Sequence, residues 1–210
     1  MKMIRVSAII FSRMSSTRLP GKALLPVGGV PLIERVIKRC KLIKGVQKVI
    51  VATSTDSSDD ILNSFLKKNN FEVFRGSLND VLDRAIQCAR KYNIDAFFRV
   101  CGDRPLFSYK LAMNAIDIFS SENYDLITNT YDTKLYPGMT VELISTSALV
   151  RTTSYDLSAN DKEHITTAFY KYENDFKIKK IFLKHDDIYK REPLAVDTFD
   201  DLKRIEKFFL

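Results

Sequence analysis

Apolar and polar positions along the chain change period in a regular order. The apolar run Ile4 to Phe11 predicts a first strand, and a polar, basic stretch, Ser12 to Lys22, follows it. From Pro31 onward, Leu32, Ile33, Val36, Ile37, Cys40 and Ile43 recur at three- and four-residue spacing, which predicts a helix with one buried face that Gly45 stops. Val46 to Thr53 is β-branched enough for a second strand. The residues Ser54 to Asp60 then supply loop and cap chemistry for a helix carrying Ile61, Leu62, Phe65 and Leu66. Phe71 to Phe74 predicts the next strand. After the loop Arg75-Gly76-Ser77 comes a helix with Val81, Leu82, Ala85, Ile86 and Ala89 on one face, and then the strand Ala96 to Val100. Four strand-helix alternations predict an α/β fold, a mostly parallel sheet covered by helices on both sides. Ligands of such sheets bind beyond the carboxyl ends of the strands. Both Ser12 to Lys22 and Cys101-Gly102-Asp103-Arg104-Pro105 fall at that edge.

The alternation loosens in the second half. Lys110 to Phe119 predicts a helix, Leu126 to Thr128 a short strand, and Thr140 to Ile144 an alternating strand presenting Glu142. Ser147 to Tyr155 and Lys162 to Tyr172 read as helical, Lys177 to Leu183 as a strand and Phe199 to Phe209 as a closing amphipathic helix. With no internal repeat, low-complexity segment or linker, the 210 residues are expected to form one domain whose second half elaborates the first.

Composition narrows the partners only a little. A formal net charge of +7 favours an anion, which a nucleotide-using enzyme, a nucleic-acid binder and a protein at an anionic membrane surface would all satisfy. The densest cationic group, Lys177, Lys179, Lys180 and Lys184, reads as the exposed face of a strand. Cys40, Cys88 and Cys101 form no CxxC pair, so no zinc site or disulfide framework is indicated, and all three are expected as buried thiols in a reducing compartment. The N-terminal apolar run is too short for a signal peptide or a membrane span, so a soluble cytoplasmic protein is expected.

The candidate chemistry begins with Ser12 to Lys22. It packs Arg13, Arg18 and Lys22, four hydroxyls and a Pro20-Gly21 turn into eleven residues. Such a loop suits a polyphosphate: glycine lets backbone N–H groups approach phosphate oxygens, and arginine forks match phosphate geometry. A solvated surface turn would look the same in isolation. Asp103, directly after a strand, is a candidate ligand for a hard divalent cation beside phosphates. Asp197 offers a second carboxylate, although Asp197 or Thr198 would serve equally as a helix N-cap. A Walker-type ATPase is excluded, because Ser16 stands at the first glycine position and Ala23 at the magnesium-binding hydroxyl, and no GxGxxG supports a dinucleotide fold.

Several stretches, in order, resemble the spore coat polysaccharide biosynthesis protein F family of cytidylyltransferase-like proteins, with kinship to the CMP-KDO synthetases. They are Arg13 to Lys22, Phe74-Arg75-Gly76-Ser77 with Asp80-Val81-Leu82-Asp83-Arg84, Arg99-Val100-Cys101-Gly102-Asp103, Val141-Glu142, Glu163-His164-Ile165-Thr166 and Val196-Asp197-Thr198. The resemblance implies a nucleotide-diphospho-sugar transferase (GT-A-like) fold, a Rossmann-like three-layer α/β/α sandwich. It implies a reaction joining an NTP, expected to be CTP, to a sugar or sugar acid, giving a nucleotide-activated sugar and pyrophosphate for glycan biosynthesis. Residues 1–105 would then form the nucleotide half and 106–210 the acceptor half.

By the same resemblance Arg13, Lys22 and Asp103 are the catalytic candidates. Phe11, Ser12, Arg13, Ser15, Ser16, Arg18, Gly21, Lys22, Arg75, Ser77, Asp80 and Arg84 fall on the nucleotide side, although Asp80 and Arg84 also have the spacing of a helical ion pair. Arg99, Glu142, Glu163 and His164 fall on the acceptor side, where His164 either works on a sugar hydroxyl or satisfies a local hydrogen bond. Asp103 and Asp197 would hold Mg2+. A homodimer is implied as well, with no nucleic acid and no membrane insertion. Phe11 and Ser12 depart from the small polar residue and Ala usual near the base, Arg104 replaces an uncharged residue, and Lys162 replaces an Arg. The base and acceptor therefore stay open. A glycosyltransferase of the same fold remains an alternative, though it would not need the triphosphate loop. A nucleic-acid-binding module is the non-enzymatic alternative, without a recognised motif to support it.

Overall fold

The computed structural model describes residues 4–132, 135–182 and 192–210. The first half runs β1 (Val6–Phe11), β2 (Pro26–Val27), β3 (Val30–Pro31), α1 (Leu32–Cys40), β4 (Val46–Ser54), α2 (Asp60–Lys68), β5 (Glu72–Gly76), α3 (Val81–Lys91) and β6 (Ala96–Cys101). The second runs α4 (Tyr109–Ser121), β7 (Leu126–Thr128), β8 (Glu142–Ser145), α5 (Thr146–Thr152), α6 (Ala159–Glu163), α7 (Thr167–Lys171), β9 (Ile178–Lys180) and α8 (Phe199–Glu206). The main sheet has the order β5-β4-β1-β6-β8-β7-β9. Strands β5, β4, β1 and β6 are parallel neighbours, so their carboxyl ends share one edge. β8 is antiparallel to both β6 and β7.

The two-residue period of β1 builds the three layers. Val6, Ala8 and Ile10 pack with Ile33, Val36 and Ile37 of α1, Leu62 and Leu66 of α2, and Leu111, Ala112 and Ala115 of α4. Ile9 faces the opposite layer, with Leu82, Ala85, Ile86 and Ala89 of α3, Ala148 and Leu149 of α5, and Phe169 of α7. This is the predicted three-layer α/β/α sandwich. A smaller third core joins Val27 and Leu32 to Leu106, Met139, Leu194, Val196, Leu202 and Ile205, seating α8 and the segment before it.

Three expectations need correction. The hairpin β2–β3 was not predicted; Gly28 and Gly29, with φ of 55° and 73°, make its turn. The predicted helix Lys162 to Tyr172 is two short ones, α6 and α7, separated at His164 to Thr166, and α6 begins earlier under a Ser158–Asp161 capping box. The sheet is mostly parallel, as expected, with β8 the antiparallel strand between β6 and β7. Cys40 and Cys88 are buried, and burial pushes the Cys88 thiol up to about 12, but Cys101 is only half-buried because it ends β6 at the open sheet edge. Lys177, Lys179 and Lys180 lie exposed around β9; Leu183 and Lys184 lie outside the described residues.

Gly138 shows how closely the third core is seated. Its φ is +96°, and a Cβ there would lie 2.4 Å from the carbonyl carbon of Leu194. Leu194 N–H also donates to the Pro137 carbonyl. Gly138→Ala is therefore expected to lower stability by more than about 1 kcal/mol in urea unfolding. Wild-type stability for that variant would contradict the tight seating of 192–196.

Candidate active site

The basic loop after β1 is folded back on itself rather than extended into solvent. Gly21, at φ 74°, donates its N–H to the Met14 carbonyl at 2.9 Å, and a 3-10 turn over Lys22–Leu24 follows. The loop is tied to the sheet by Asp59, a fully buried carboxylate at the start of α2. Its Oδ1 accepts from Met14 N–H at 2.7 Å, and its Oδ2 from Ser54 N–H at 3.0 Å and from the Ser54 hydroxyl. Burial alone would raise the Asp59 pKa, but these hydrogen bonds outweigh it and hold the carboxyl below its ordinary value. In the sequence Asp59 reads only as one of several loop and cap residues.

At the next strand end, Gly102 N–H donates to the Phe11 carbonyl at 2.9 Å. A Cβ on Gly102 would sit 2.7 Å from Cβ of Ser12, so only glycine allows β6 to turn this close to the loop. Asp103 follows, and its carbonyl accepts from Val196 N–H at 2.9 Å, which brings Asp197 alongside. Thr198 caps α8 in a capping box with Asp201, so the Asp197 side chain is left for the site and the two readings of this segment separate by residue. Lys22 Nζ reaches Asp103 Oδ2 at 2.7 Å, Asp197 Oδ1 at 3.1 Å and the Val196 carbonyl at 2.8 Å. Arg18 adds a contact to Asp197 at 2.9 Å. Two carboxylate oxygens and a carbonyl thus converge on one cation. That donor set fits a hard divalent ion which completes its shell with phosphate oxygens and water; among the described residues no set of three or more His, Cys, Asp or Glu forms a closed metal cage.

Two cavities meet here. One, of about 300 Å³, is lined by Phe11, Ser12, Arg13, Ser16, Thr17, Arg18 and Lys22 from the loop, with Arg84, Arg99, Asp103, Glu163, His164 and Asp197. The second, of about 500 Å³, shares Arg18, Arg99, Cys101, Asp103, His164 and Asp197 and adds Arg104, Thr130, Thr140, Glu142, Thr166 and Tyr170. Arg13 pairs with Glu163 at 3.1 Å, closing the loop onto the end of α6. His164, where α6 ends, is exposed and lines both cavities. Its backbone N–H donates to the Asn160 carbonyl and its carbonyl accepts from Thr167 N–H, both at 2.8 Å.

In the second cavity, Arg99 pairs with the buried Glu142 at 3.1 Å, and the Tyr170 hydroxyl donates to Glu142 at 2.7 Å. Thr128 and Thr130 hydroxyls lie 3.1 and 3.0 Å from the same phenol oxygen. The neighbouring Cys101 sulfur and the Glu142 carboxylate raise the Arg99 guanidinium above its ordinary value, while burial and Glu142 raise Tyr170. Sequence reading took in Thr166 only as part of the Glu163 to Thr166 stretch and missed Tyr170, Thr130 and Thr140, since hydroxyls scattered over forty residues carry no pattern until the sheet gathers them.

Some predicted residues stand apart. Ser15 is exposed and Gly21 shapes the loop; neither lines the two cavities that meet here. Arg75 turns away, donating to the Ser54 and Asp56 carbonyls and pairing with Asp60 at 2.7 Å. The Ser77 hydroxyl accepts from Asp80 N–H. Asp80 caps α3 and borders a separate cleft with Asp83, Tyr155 and Lys162. The spacing of Asp80 and Arg84 gives no ion pair. Arg84 does line the first cavity, but from a buried position: it donates to the Ser77 carbonyl at 2.8 Å and lies 6.0 Å from the Phe11 ring. Its desolvation lowers its pKa, and its Nε has no hydrogen-bond partner.

A family model described as cytidylyltransferase matches residues 7–207. The chain belongs to the cytidylyltransferase family. The structure is similar to that of a cytidylyltransferase from Leptospira borgpetersenii, with a TM-score of 0.90 and 32% identity, covering 99% of this chain and 88% of that one. In sequence it is 28% identical over 209 residues to the spore coat polysaccharide biosynthesis protein SpsF of Bacillus subtilis, covering 96% of this chain and 85% of the relative. A CMP:2-keto-3-deoxy-manno-octonic acid synthetase complexed with CTP shares the fold, with a TM-score of 0.73 at 15% identity, covering 98% of each chain. A cytidylyltransferase of this fold is thus a nucleotidyltransferase, and no described helix is long and apolar enough to cross a membrane.

Asp59→Asn keeps the shape of the loop anchor and removes its charge, with an expected loss of about 1–3 kcal/mol at pH 7. Because the folded carboxyl is held below its ordinary value, this stabilisation is fully present above the unfolded pKa of about 3.9 and is lost as pH falls through the lower folded value. The gap between wild type and D59N in urea unfolding should therefore shrink below about pH 4. An equal gap at pH 7 and pH 3 would contradict the role given to Asp59.

Proposed function

We propose that this cytidylyltransferase moves the cytidylyl group of CTP to a hydroxyl of a sugar or sugar acid, with Mg2+, and releases pyrophosphate. The observation that carries this reading is the meeting of two cavities at the Lys22–Asp103–Asp197 cluster. One is ringed by a basic loop suited to a triphosphate, the other by hydroxyls, Arg99 and Arg104, which suit a polyhydroxylated acceptor. Arg13, Arg18 and Lys22 bind the triphosphate and offset charge on the leaving pyrophosphate. Asp103 and Asp197 would hold Mg2+, which when bound would supply further compensation of phosphate charge. His164, at the junction, accepts the proton of the acceptor hydroxyl. The hydroxyl oxygen forms a bond to the α-phosphorus in line with the departing oxygen, and the bond between the α-phosphorus and that bridging oxygen breaks. No protein nucleophile takes part, so positioning and electrostatics do the catalysis. Glu142, locked by Tyr170, keeps Arg99 in place at the acceptor cavity.

Residues 1–105 form the nucleotide half in this reading and 106–210 the acceptor half. The enzyme works in the cytoplasm, where CTP is made, as a homodimer supplying activated sugars for glycan assembly. The supporting facts are the family membership and the similarity to SpsF along nearly the whole chain.

The test is incubation with each NTP, Mg2+ and a panel of sugar acids and amino sugars, with pyrophosphate and activated sugar followed by mass spectrometry. CTP should give the fastest turnover. His164→Ala and Asp103→Asn should each lower kcat by about 100-fold or more while circular dichroism stays unchanged. Absence of turnover and of any thermal shift with every NTP would sink this reading.

A further inference from the structure

The three contacts of Lys22 match the capacity of an ammonium group. Its three N–H donors meet Asp103 Oδ2, Asp197 Oδ1 and the Val196 carbonyl, and the side chain is only 14% exposed. The oxygens that would take a divalent cation are therefore the oxygens that hold this one. An ammonium and a divalent ion cannot share that point, because their charges repel at contact distance and compete for the same lone pairs. Arg18 touches the same Asp197 oxygen at 2.9 Å, but its side chain is 67% exposed and it does not reach Asp103. Two neighbouring carboxylates also repel each other, and the ammonium between them offsets that repulsion and holds both in place.

The backbone of Lys22 is fixed, while its head is held by contacts that a different set of oxygens could replace. Gly21 N–H is bonded to Met14, Lys22 N–H to Leu19, and the 3-10 turn continues through Leu24. The four-carbon stem carries a compact point charge rather than a rigid fork, so the head can change partners without moving the loop. The loop-side cavity borders Lys22, Arg13, Ser16 and Thr17, so a polyphosphate lying there offers the ammonium a second set of oxygens within reach of the same stem.

We propose that Lys22 is a resident cation standing in the divalent-metal position, and that it yields this position only when a triphosphate draws its ammonium away. Metal binding then depends on nucleotide binding, and the two strengthen each other reciprocally. This rests on the CTP reading for the identity of the triphosphate. The resident-cation part concerns Lys22, Asp103 and Asp197 alone.

The experiment titrates Mn2+ into the full chain without nucleotide, reading free Mn2+ by its electron paramagnetic resonance signal, for wild type, Lys22→Gln, Lys22→Met and Arg18→Gln. Melting curves establish that each variant is folded. Both Lys22 variants should bind Mn2+ at least about tenfold more tightly than wild type, whereas R18Q, which removes the same charge from an exposed position, should change affinity less than about threefold. In wild type, added CTP should create protein-bound Mn2+, read by enhanced water-proton relaxation. Wild type binding Mn2+ alone as tightly as K22Q and K22M, or R18Q matching them, overturns the proposal. If CTP adds no bound Mn2+ to wild type, the nucleotide gate is overturned; a parallel titration of CTP alone separates this from failure of the CTP reading, which would appear as no CTP binding at all.

Discussion

A single ammonium group joins three distant parts of this chain. Lys22 comes from the loop after the first strand, Asp103 from the turn after β6, and Asp197 from the segment before the last helix. No two of these would meet without the sheet, and the contacts in turn fix where the C-terminal segment lies against the strand edge. Each carboxylate is only partly exposed, so its charge is compensated by partners and not by water alone. The same arrangement that satisfies the charges in the folded chain is the arrangement from which phosphate and cation chemistry can be run.

The rest of the structure holds this point in register. Parallel β1 and β6 end side by side, with Phe11 opposite Cys101, so the residues that follow both strands emerge at one edge. Gly102 permits the close approach there, and Gly138 permits the C-terminal segment to pack against the backbone beside it. Asp59, inside the protein, holds the loop from beneath through backbone N–H groups. Rigid support of this kind matters because phosphoryl chemistry depends on placement, and the loop that carries the three candidate phosphate-binding cations has little core of its own.

Much of this was legible in the residues. The 3.6-residue period from Leu32 to Cys40 and the β-branched run from Val46 identified elements whose faces are decided by burial alone, and the site loop stood out because it concentrates three cations beside a Pro-Gly turn. Local chemistry was harder to read. Asp80 and Arg84 have ion-pair spacing, yet the N-terminus of α3 gives Asp80 free N–H groups to cap, and Arg84 follows the aromatic wall of Phe11 into the interior. Arg75 lies in a stretch that matches the family, but carbonyls at Ser54 and Asp56 and the Asp60 carboxylate capture it first. Tyr170 carried no signal, because its importance lies in a hydrogen bond to a glutamate twenty-eight positions away. The break between α6 and α7 was also hidden, since the apolar spacing continues through it while the backbone at His164 leaves helical geometry.

The central proposal is that the triphosphate, the cation and the Lys22–Asp103–Asp197 cluster share one place. A crystal structure of the full chain grown with CTP and Mn2+, with anomalous scattering recorded for manganese, tests it most directly. The predicted result is a manganese peak between Asp103 and Asp197, the triphosphate along Arg13 to Lys22, and the Lys22 ammonium moved onto phosphate oxygens. Nucleotide density away from this loop, or manganese elsewhere with Lys22 still bridging both carboxylates, would contradict it.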